Sequence, residues 1–490
     1  MKILFSCLLF SLLVTSHGFS QKTFIYSEKD SLNDNVFYDA TELPDGKLIL
    51  VGLKIHYGND STANDASIVV TKLSADGGLL TKKIFNYGGY NCFMNSINQI
   101  NPNIILLSGI VSVDDSARLL VITIDSSLNI LRSKVVPIPG YNIFYSGAKI
   151  DSNKNIILYG NAAEPTIYKP RHAFIYRLSS ELDSLGFRLF DVLSELDVDL
   201  LIKPANSGYY LFMVLENSGT FFSNGQILNL DNNFNIVRVD SIPMGVYNRN
   251  NSRWVSDKKF LLTGFLTLGY PTHYQHVGAV VLDTNYTLYH YKNMGTPDTS
   301  EIPSWPKNLD LKFSSDIYIA GIYSYNQWFE WGSDNSWFAL NHVDTTLNLN
   351  WEKYYGGDKN YYLCGLLATK DSGCLMYGGT YDWQNHAYGK ELYAIKVNKE
   401  GKLFDAVNPP QDVAKEVIIF PNPGTDKLYI RTSLISATIS LFDMLGNWVL
   451  TKNIQSGTDQ LSVGSLSPGL YFYHIRKGGQ IINSGKWVKE

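Results

Sequence analysis

The stretch Asp45–Gly52, DGKLILVG, decides the fold of this chain, because versions of its last six residues recur along the sequence. KLILVG (Lys47–Gly52) is followed by IILLSG (Ile104–Gly109), IILYG (Ile156–Gly160), KFLLTG (Lys259–Gly264), IYIAG (Ile317–Gly321) and CLMYG (Cys374–Gly378). A copy without glycine, YYLFMV (Tyr209–Val214), fills the one gap. The copies end at 52, 109, 160, 214, 264, 321 and 378, so successive ends lie 57, 51, 54, 50, 57 and 57 residues apart. A fixed period of this size marks a repeat architecture, in which no unit buries its apolar face alone.

Working outward from Asp45, the first unit reads as Asn35–Leu43, a turn at Asp45-Gly46, Lys47–Gly52, a longer loop and Ser67–Ser74. A second turn at Asp76-Gly77 and Leu79–Gly88 complete it. Asp-Gly between hydrophobic runs signals a hairpin, because glycine enters positive φ without a Cβ penalty. The runs are short and rich in Val, Ile, Tyr and Phe, which favour strands. Four strands per unit and seven units predict an all-β chain that begins with a seven-bladed β-propeller over residues 22–404. An open solenoid and a pair of sandwiches are the rival all-β readings. The last unit runs out after its third strand, Glu391–Asn398, whereas KTFIYS (Lys22–Ser27) precedes the first strand without a partner. An N-terminal strand that completes the last blade would close the ring and hide its sheet edges. DGKLILVG with SIVVTKLSADG (Ser67–Gly77) resembles the repeats of secreted bacterial propellers, including the delta-60 type. Tyr377-Gly378-Gly379 through Trp383 is faintly kelch-like.

In a propeller the first-to-second and third-to-fourth turns share one face, and the remaining loops share the other. Here the second face carries the long, dissimilar loops, where functional residues usually sit over a rigid scaffold. They contain His56 and Tyr57, then Tyr168, Arg171 and His172, then Tyr270, His273, Tyr274 and His276. The richest is Tyr323–Trp337 (YSYNQWFEWGSDNSW), followed by Tyr381, Trp383 and His386. Tyr and Trp combine apolar area with a hydrogen-bonding tip, which suits sugar or protein partners. The expected ligand-binding set is Tyr270, His273, Tyr325, Trp328, Trp331, Trp337, Tyr381 and Trp383, against the plainer account that such side chains fill gaps between blades.

Catalytic signatures are missing: there is no G-x-S-x-G, H-E-x-x-H, phosphate-cradling glycine loop or sialidase-type Asp-box. His273-x-x-His276 lacks a third ligand for a metal. Asp114-Asp115 and Asp334 read as solvated acids, and Asp231-Asn232-Asn233 as turn chemistry. No metal or cofactor is expected. The 490 residues carry a formal charge of -4 and no Lys/Arg cluster, so nucleic acid is not an expected partner.

At the N-terminus, Met1-Lys2, the apolar run Ile3–Val14 and Gly18-Phe19-Ser20 form a signal-peptide pattern over residues 1–20, with the cut before Gln21. The run is too short to span a bilayer, and no later segment is long and apolar enough. Leu4–Cys7 faintly resembles a lipoprotein box but lies inside the apolar run. After cleavage Cys92, Cys364 and Cys374 remain, an odd count. Cys364 and Cys374 fall on neighbouring strands, as facing thiols or as a single bridge.

Residues 405–416 (DAVNPPQDVAKE over 405–416) read as a linker, and residues 417–490 as a small immunoglobulin-like β-sandwich of about seven short strands. FPNP (Phe420–Pro423), LFDMLG (Leu441–Gly446), LSPGLY (Leu466–Tyr471) and GKWVK (Gly485–Lys489) occur there in order. This segment resembles the type A C-terminal sorting domain of the type IX secretion system of Bacteroidetes. The resemblance implies transport across the outer membrane, followed by surface attachment or release, with the secretion machinery as partner. It assigns recognition to the motif residues Pro421, Asn422, Pro423, Asp443, Gly446, Gly469, Tyr471, Lys486 and Lys489. The expected function is therefore an exported protein whose propeller binds glycan or protein without catalysis; the alternative is a secreted propeller hydrolase or lyase acting on polysaccharide.

Overall fold

The runs read as strands are strands in the computed structural model, which describes residues 22–30, 33–57, 63–114, 116–165, 171–194, 198–215, 224–267, 275–295, 299–324, 334–384, 389–403, 417–432, 436–444, 446–455, 457–477 and 480–490. The chain divides into two compact units, Met1–Leu403 and Phe404–Glu490. In the first, β1 (Phe24–Glu28) precedes the meander β2 (Asn33–Glu42), β3 (Leu48–Tyr57), β4 (Ala63–Leu73) and β5 (Leu79–Phe85). Next come β6 (Cys92–Asn101), β7 (Ile104–Val113), β8 (Ser116–Ile124) and β9 (Ile130–Val136). The meander of β10 (Asn142–Ile150), β11 (Ile156–Ala163), β12 (Arg171–Leu178) and β13 (Ser184–Ser194) follows. It meets β14 (Asp199–Ile202), β15 (Tyr209–Leu215), β16 (Asn224–Leu230) and β17 (Ile236–Ser241) at the single pair Ser194–Leu215. Then come β18 (Val246–Trp254), β19 (Lys259–Thr267), β20 (Gln275–Asp283) and β21 (Leu288–Met294). In the next sheet the inner strand is split into β22 (Glu301–Pro303) and β23 (Leu309–Phe313), both on β24 (Asp316–Tyr323), beside β25 (Trp337–Val343) and β26 (Leu349–Gly356). The last sheet holds β27 (Asn360–Ala368), β28 (Cys374–Tyr381) and β29 (Glu391–Val397), and β1 joins it antiparallel to β29, with Tyr26 opposite Ala394.

Each sheet packs its two faces on its two neighbours, which is why the inner strands read as continuous apolar runs rather than alternating ones. Along β3, Ile49 and Val51 join Met94 and Leu107 of the next sheet, while Leu48 and Leu50 join Leu363 and Leu375 of the last one. The residues of β11 are buried throughout, whereas the outer strand β17 is largely exposed. This is the arrangement of a β-propeller.

The recurring glycine has a steric cause. Opposite it the innermost strand carries a β-bulge in three of the copies, with register shifts at Phe37/Asp39, Met94/Ser96 and Leu363/Gly365. The bulge swings a carbonyl to where a Cβ would stand: 2.2 Å away for Gly52, 1.9 Å for Gly109 and 2.0 Å for Gly378. In the fourth copy Val214 takes the place of the glycine, and among the described residues β14 pairs only with Tyr209–Phe212 of β15.

A second device closes the third-to-fourth hairpins. In Asp125–Asn129, Asp231–Asn235, Asp283–Thr287 and Asp344–Asn348, the first Asp Oδ1 accepts the N–H groups two and four residues on. The fourth residue is left-handed in each, with φ of 64° at Leu128, 65° at Phe234, 65° at Tyr286 and 63° at Leu347. Large side chains tolerate that backbone here because Leu128, Phe234 and Leu347 are buried in the cores between sheets.

Cys92, Cys364 and Cys374 are buried and form no disulfide. The expectation of facing thiols on β27 and β28 is corrected by the register. Cys374 pairs with Ala368, and Cys364 falls in the bulge. Four residues of strand separate the two positions by about 13 Å, beyond disulfide reach.

The second unit has β30 (Val417–Phe420), β31 (Lys427–Thr432), β32 (Ala437–Phe442), β33 (Trp448–Ile454), β34 (Gly457–Ser462), β35 (Gly469–Lys477) and β36 (Gln480–Lys489). Two antiparallel sheets, β30-β31-β34 and β33-β32-β35-β36, enclose a core of Leu428, Ile430, Ile439, Leu441, Ile475 and Trp487.

Candidate functional site

Of the eight residues expected to bind ligand, Tyr270, His273, Tyr325, Trp328 and Trp331 lie outside the described residues. So do Tyr168, Tyr274 and His386. Trp337 begins β25, Tyr381 ends β28 and Trp383 follows in the next turn, so the three share the long-loop end of two neighbouring sheets. All three are half-buried. The Trp383 indole N–H donates to Asn335 Oδ1 at 2.9 Å, and Trp337 packs edge-on against Tyr323 with centroids 5.6 Å apart. His276 is buried, with Nδ1 engaged by Asn293 Oδ1 at 2.8 Å. Among the described residues no three His, Cys, Asp or Glu side chains gather as a metal site.

A different place brings more chemistry together. A cavity of about 540 Å³ runs along the innermost strands of the propeller, bordered by Asp39 of β2, Asn95–Gln99 of β6, Gly147–Ile150 of β10, Asp199–Ile202 of β14, Asn251–Trp254 of β18, and Lys307. Three acids and three cations converge around it. Arg253 Nε donates to Asp310 Oδ1 at 3.1 Å. Lys149 Nζ stands 3.6 Å from Asp199, and Lys307 Nζ is 3.8 Å from Asp39 and 3.6 Å from Asp310.

The acids tie sheets together. Asp39 accepts from the Ile97 N–H of the next sheet at 2.9 Å and from the Tyr377 hydroxyl of the preceding sheet at 2.9 Å. Asp199 accepts from Ser252 Oγ at 2.6 Å and from the Tyr159 hydroxyl at 3.3 Å, again one sheet on each side. Asp310 takes the Ala368 N–H of the next sheet at 3.1 Å. Both tyrosines stand directly before a repeat glycine, and each ring crosses a glycine on the inner strand. A Cβ at Gly147 or Gly365 would come within 2.7 Å or 2.6 Å of Tyr159 or Tyr377. Burial would raise the Asp310 carboxyl, but Lys307, Arg253 and the Ala368 N–H overcome it and hold the group below the usual carboxylate range. Burial draws the Lys149 ammonium down to about 8, helped by Arg253 and Lys307 and opposed by Asp199. A carboxylate held ionised by such partners is a poor proton donor at neutral pH.

One buried acid is set differently. Glu301, the first residue of β22, is fully buried. Its Oε1 accepts from the Tyr354 hydroxyl at 3.2 Å, and its Oε2 has no partner among the described residues. Burial first, and repulsion from Glu352 second, push its carboxyl up to about 7. Tyr323 packs on both Tyr354 and Trp337, which places this acid beneath the loop end that holds the tryptophan. A carboxyl whose folded pKa is raised contributes stability that is complete below the unfolded value and lost as pH rises through the folded one. Thermal denaturation should therefore show stability falling by about 1–3 kcal/mol between pH 5 and pH 8 in the wild type. The Glu301→Gln variant should lack that decline; identical pH profiles for the two would refute this assignment.

In the second unit the two ends of the motif set meet. Asn422 Nδ2 donates to the Lys486 carbonyl at 2.9 Å, and its Oδ1 accepts the Val488 N–H at 3.0 Å. The Trp487 indole, fully buried, donates to the Pro421 carbonyl at 2.9 Å and packs on Tyr471, whose hydroxyl donates to the Ser467 carbonyl at 2.8 Å. Asp443 caps its hairpin through the Asn447 N–H at 2.9 Å, with Gly446 left-handed at φ 82°. Gly469 opens β35, and Pro421, Asn422 and Pro423 are exposed. Lys486 is exposed as well, whereas Lys489 is buried and its Nζ donates to the Glu490 carbonyl at 2.7 Å.

Residues 418–490 match the family model of the secretion system C-terminal sorting domain. No curated protein matches the chain. Among solved structures the chain is similar to the β-propeller domain of the Trilobed protease from Pyrococcus furiosus, at 10% identity and a TM-score of 0.43 over 78% of this chain and 98% of that one. It is also similar to Drosophila Semaphorin 2a, at 8% identity and a TM-score of 0.43 over 96% of this chain and 97% of that one. A third likeness is to a protein of unknown function from Dyadobacter fermentans, at 9% identity and a TM-score of 0.42 over 76% and 98% of the two chains. None of the three lends this chain a ligand or a reaction.

Proposed function

From a chain whose residues 418–490 are a secretion-sorting domain, which marks it for secretion or the outer-membrane surface, we propose that the propeller is the exported effector and a non-catalytic module for binding glycan or protein. In this reading the propeller has seven blades, the signal peptide is cut before Gln21, and the C-terminal unit is an immunoglobulin-like sandwich read by the type IX machinery through its exposed motif residues. The start of β1 at Phe24 supports the cut, since the closing strand then opens the mature chain.

The observation that carries the binding reading is the alignment of Trp337, Tyr381 and Trp383 at one end of adjacent sheets, with Trp383 anchored on Asn335. Half-buried aromatics held by a scaffold present contact area at little entropic cost. A second reading, a hydrolase or lyase acting on polysaccharide, is favoured by Glu301, a carboxyl set near neutrality at the same end.

The test uses the full chain, expressed in its host and purified from surface or medium, in a glycan and protein binding screen. The paired change Trp337→Ala and Trp383→Ala should weaken binding by about 2 kcal/mol or more, a hot-spot effect. Unchanged binding would sink the loop-face assignment, and shortening of a polysaccharide by the wild type but not by Glu301→Gln would favour the second reading. Deleting residues 417–490 should leave the propeller inside the outer membrane; undiminished surface display would overturn the sorting reading.

A further inference from the structure

We propose that the central cavity of the propeller is a binding site for an oxyanion (carboxylate, sulfate or phosphate) held by Lys149, Arg253 and Lys307. The site is separate from the long-loop face and stands or falls independently of it.

Charge alone does not point there, since Asp39, Asp199 and Asp310 balance the three cations. The hydrogen-bond inventory does. Asp39 accepts from two backbone N–H groups, of Ala40 and Ile97, and from the Tyr377 hydroxyl. Asp199 accepts from two hydroxyls, and Asp310 from the Ala368 N–H and the Arg253 guanidinium. The acceptors of the ring are thus already engaged by protein donors.

The donors are not. Lys149 Nζ is 3.6 Å from its nearest carboxylate oxygen, and Lys307 Nζ is 3.6 Å and 3.8 Å from its two, all beyond a hydrogen bond. Each ammonium carries three N–H donors. Neither ammonium makes a hydrogen bond among the described residues. Arg253, with five donors, commits Nε to Asp310 and Nη1 to the Ser252 carbonyl. What the charged groups of the cavity have left to offer is cationic N–H, on side chains that border a space of about 540 Å³, within the range of small-molecule sites.

An oxyanion among these groups would accept the uncommitted donors through charge-assisted bonds. It would also offset the mutual repulsion that helps draw the Lys149 ammonium down to about 8. The groups facing Lys149 are Asp199, Asp310, Arg253, Lys307 and the Tyr159 ring, whose centroid lies 6.0 Å from Nζ. Burial has the Lys149 charge lost near pH 8, so affinity should fall above about pH 8.

The test is calorimetric titration of the full chain with sodium glucuronate, sulfate and phosphate at constant ionic strength in chloride, with glucose as the neutral control. The proposal expects saturable binding of at least one oxyanion and none of glucose. Lys149→Met combined with Lys307→Met should weaken that binding about tenfold or more, while Lys149→Arg, which keeps the charge, should retain most of it. Preference for glucuronate would identify the source as an acidic sugar; preference for sulfate or phosphate would identify an inorganic or esterified anion. Failure of all three to bind, or equal binding of glucose, overturns the site. So does a folded double variant that binds as the wild type does. Should the double variant not fold, the pH series on the wild type decides: loss of affinity above pH 8 supports the site, and an unchanged affinity to pH 9.5 refutes it.

Discussion

Replacing Asp39 by alanine is expected to lower stability by about 3–5 kcal/mol, one of the two largest single-residue effects in the propeller. The carboxylate is buried and joins three sheets. It belongs to β2, accepts the Ile97 N–H of β6, and accepts the Tyr377 hydroxyl of β28. Its loss leaves the buried Ile97 N–H without its side-chain acceptor and the Tyr377 hydroxyl with only the Leu366 carbonyl at 3.4 Å, and among the described residues it leaves Lys307 with Asp310 as its remaining ion-pair partner. The sheets it joins include the one closed by β1, so the damage falls where the two ends of the propeller chain meet. Equilibrium denaturation in guanidinium measures it. Tyr377→Phe, which removes one donor and keeps the ring, should cost about 1 kcal/mol. If Asp39→Ala stays within 1 kcal/mol of the wild type, the acids of the cavity are not the cross-links described.

Gly109→Ala should be comparably severe, costing about 3 kcal/mol or more, and in vivo it should reduce the amount of folded protein. The added Cβ would stand 1.9 Å from the Phe93 carbonyl oxygen and 2.8 Å from the Met94 Cα. Both are backbone atoms of the innermost strand, so no side-chain rotation relieves the clash, and the bulge at Met94/Ser96 would have to be rebuilt. Gly186→Ala is the matched control, because its Cβ would meet Phe234 Cε2 at an ordinary 3.6 Å. Equal thermal midpoints for the two variants would refute the steric account of the repeat glycine.

The repeat was legible because its cause is local. A strand that packs on both faces needs a continuous apolar run, and a strand crossing a bulge needs glycine; both demands appear as residues adjacent in sequence. The sorting motifs were legible for a related reason, since Pro421, Asn422 and Trp487 form the bonds that join the first and last strands of their unit.

The cavity was not legible, because its members are spread one or two repeats apart. Asp39, Lys149, Asp199, Arg253 and Asp310 look like isolated charges on separate strands. A signal was nonetheless present: Lys149, Arg253 and Asp310 each stand eleven residues ahead of a repeat glycine, Gly160, Gly264 and Gly321. A charge at a constant offset from the motif marks one height on the inner strand. The tyrosines before Gly160 and Gly378, with Gly147 and Gly365 across from them, mark where a hydroxyl reaches the same height. The expectation of facing thiols at Cys364 and Cys374 failed for the converse reason, since a bulge shifts register without leaving a mark in hydrophobicity.

By itself the sequence determined the period, the strand order within each unit and the export address, because each rests on contacts between neighbours along the chain or on a contiguous motif. Tertiary structure alone decided which charges meet, which acid is spent on joining sheets, and which cations keep donors to spare. Those facts depend on closing a ring, and ring closure brings together residues as far apart as Asp39 and Tyr377.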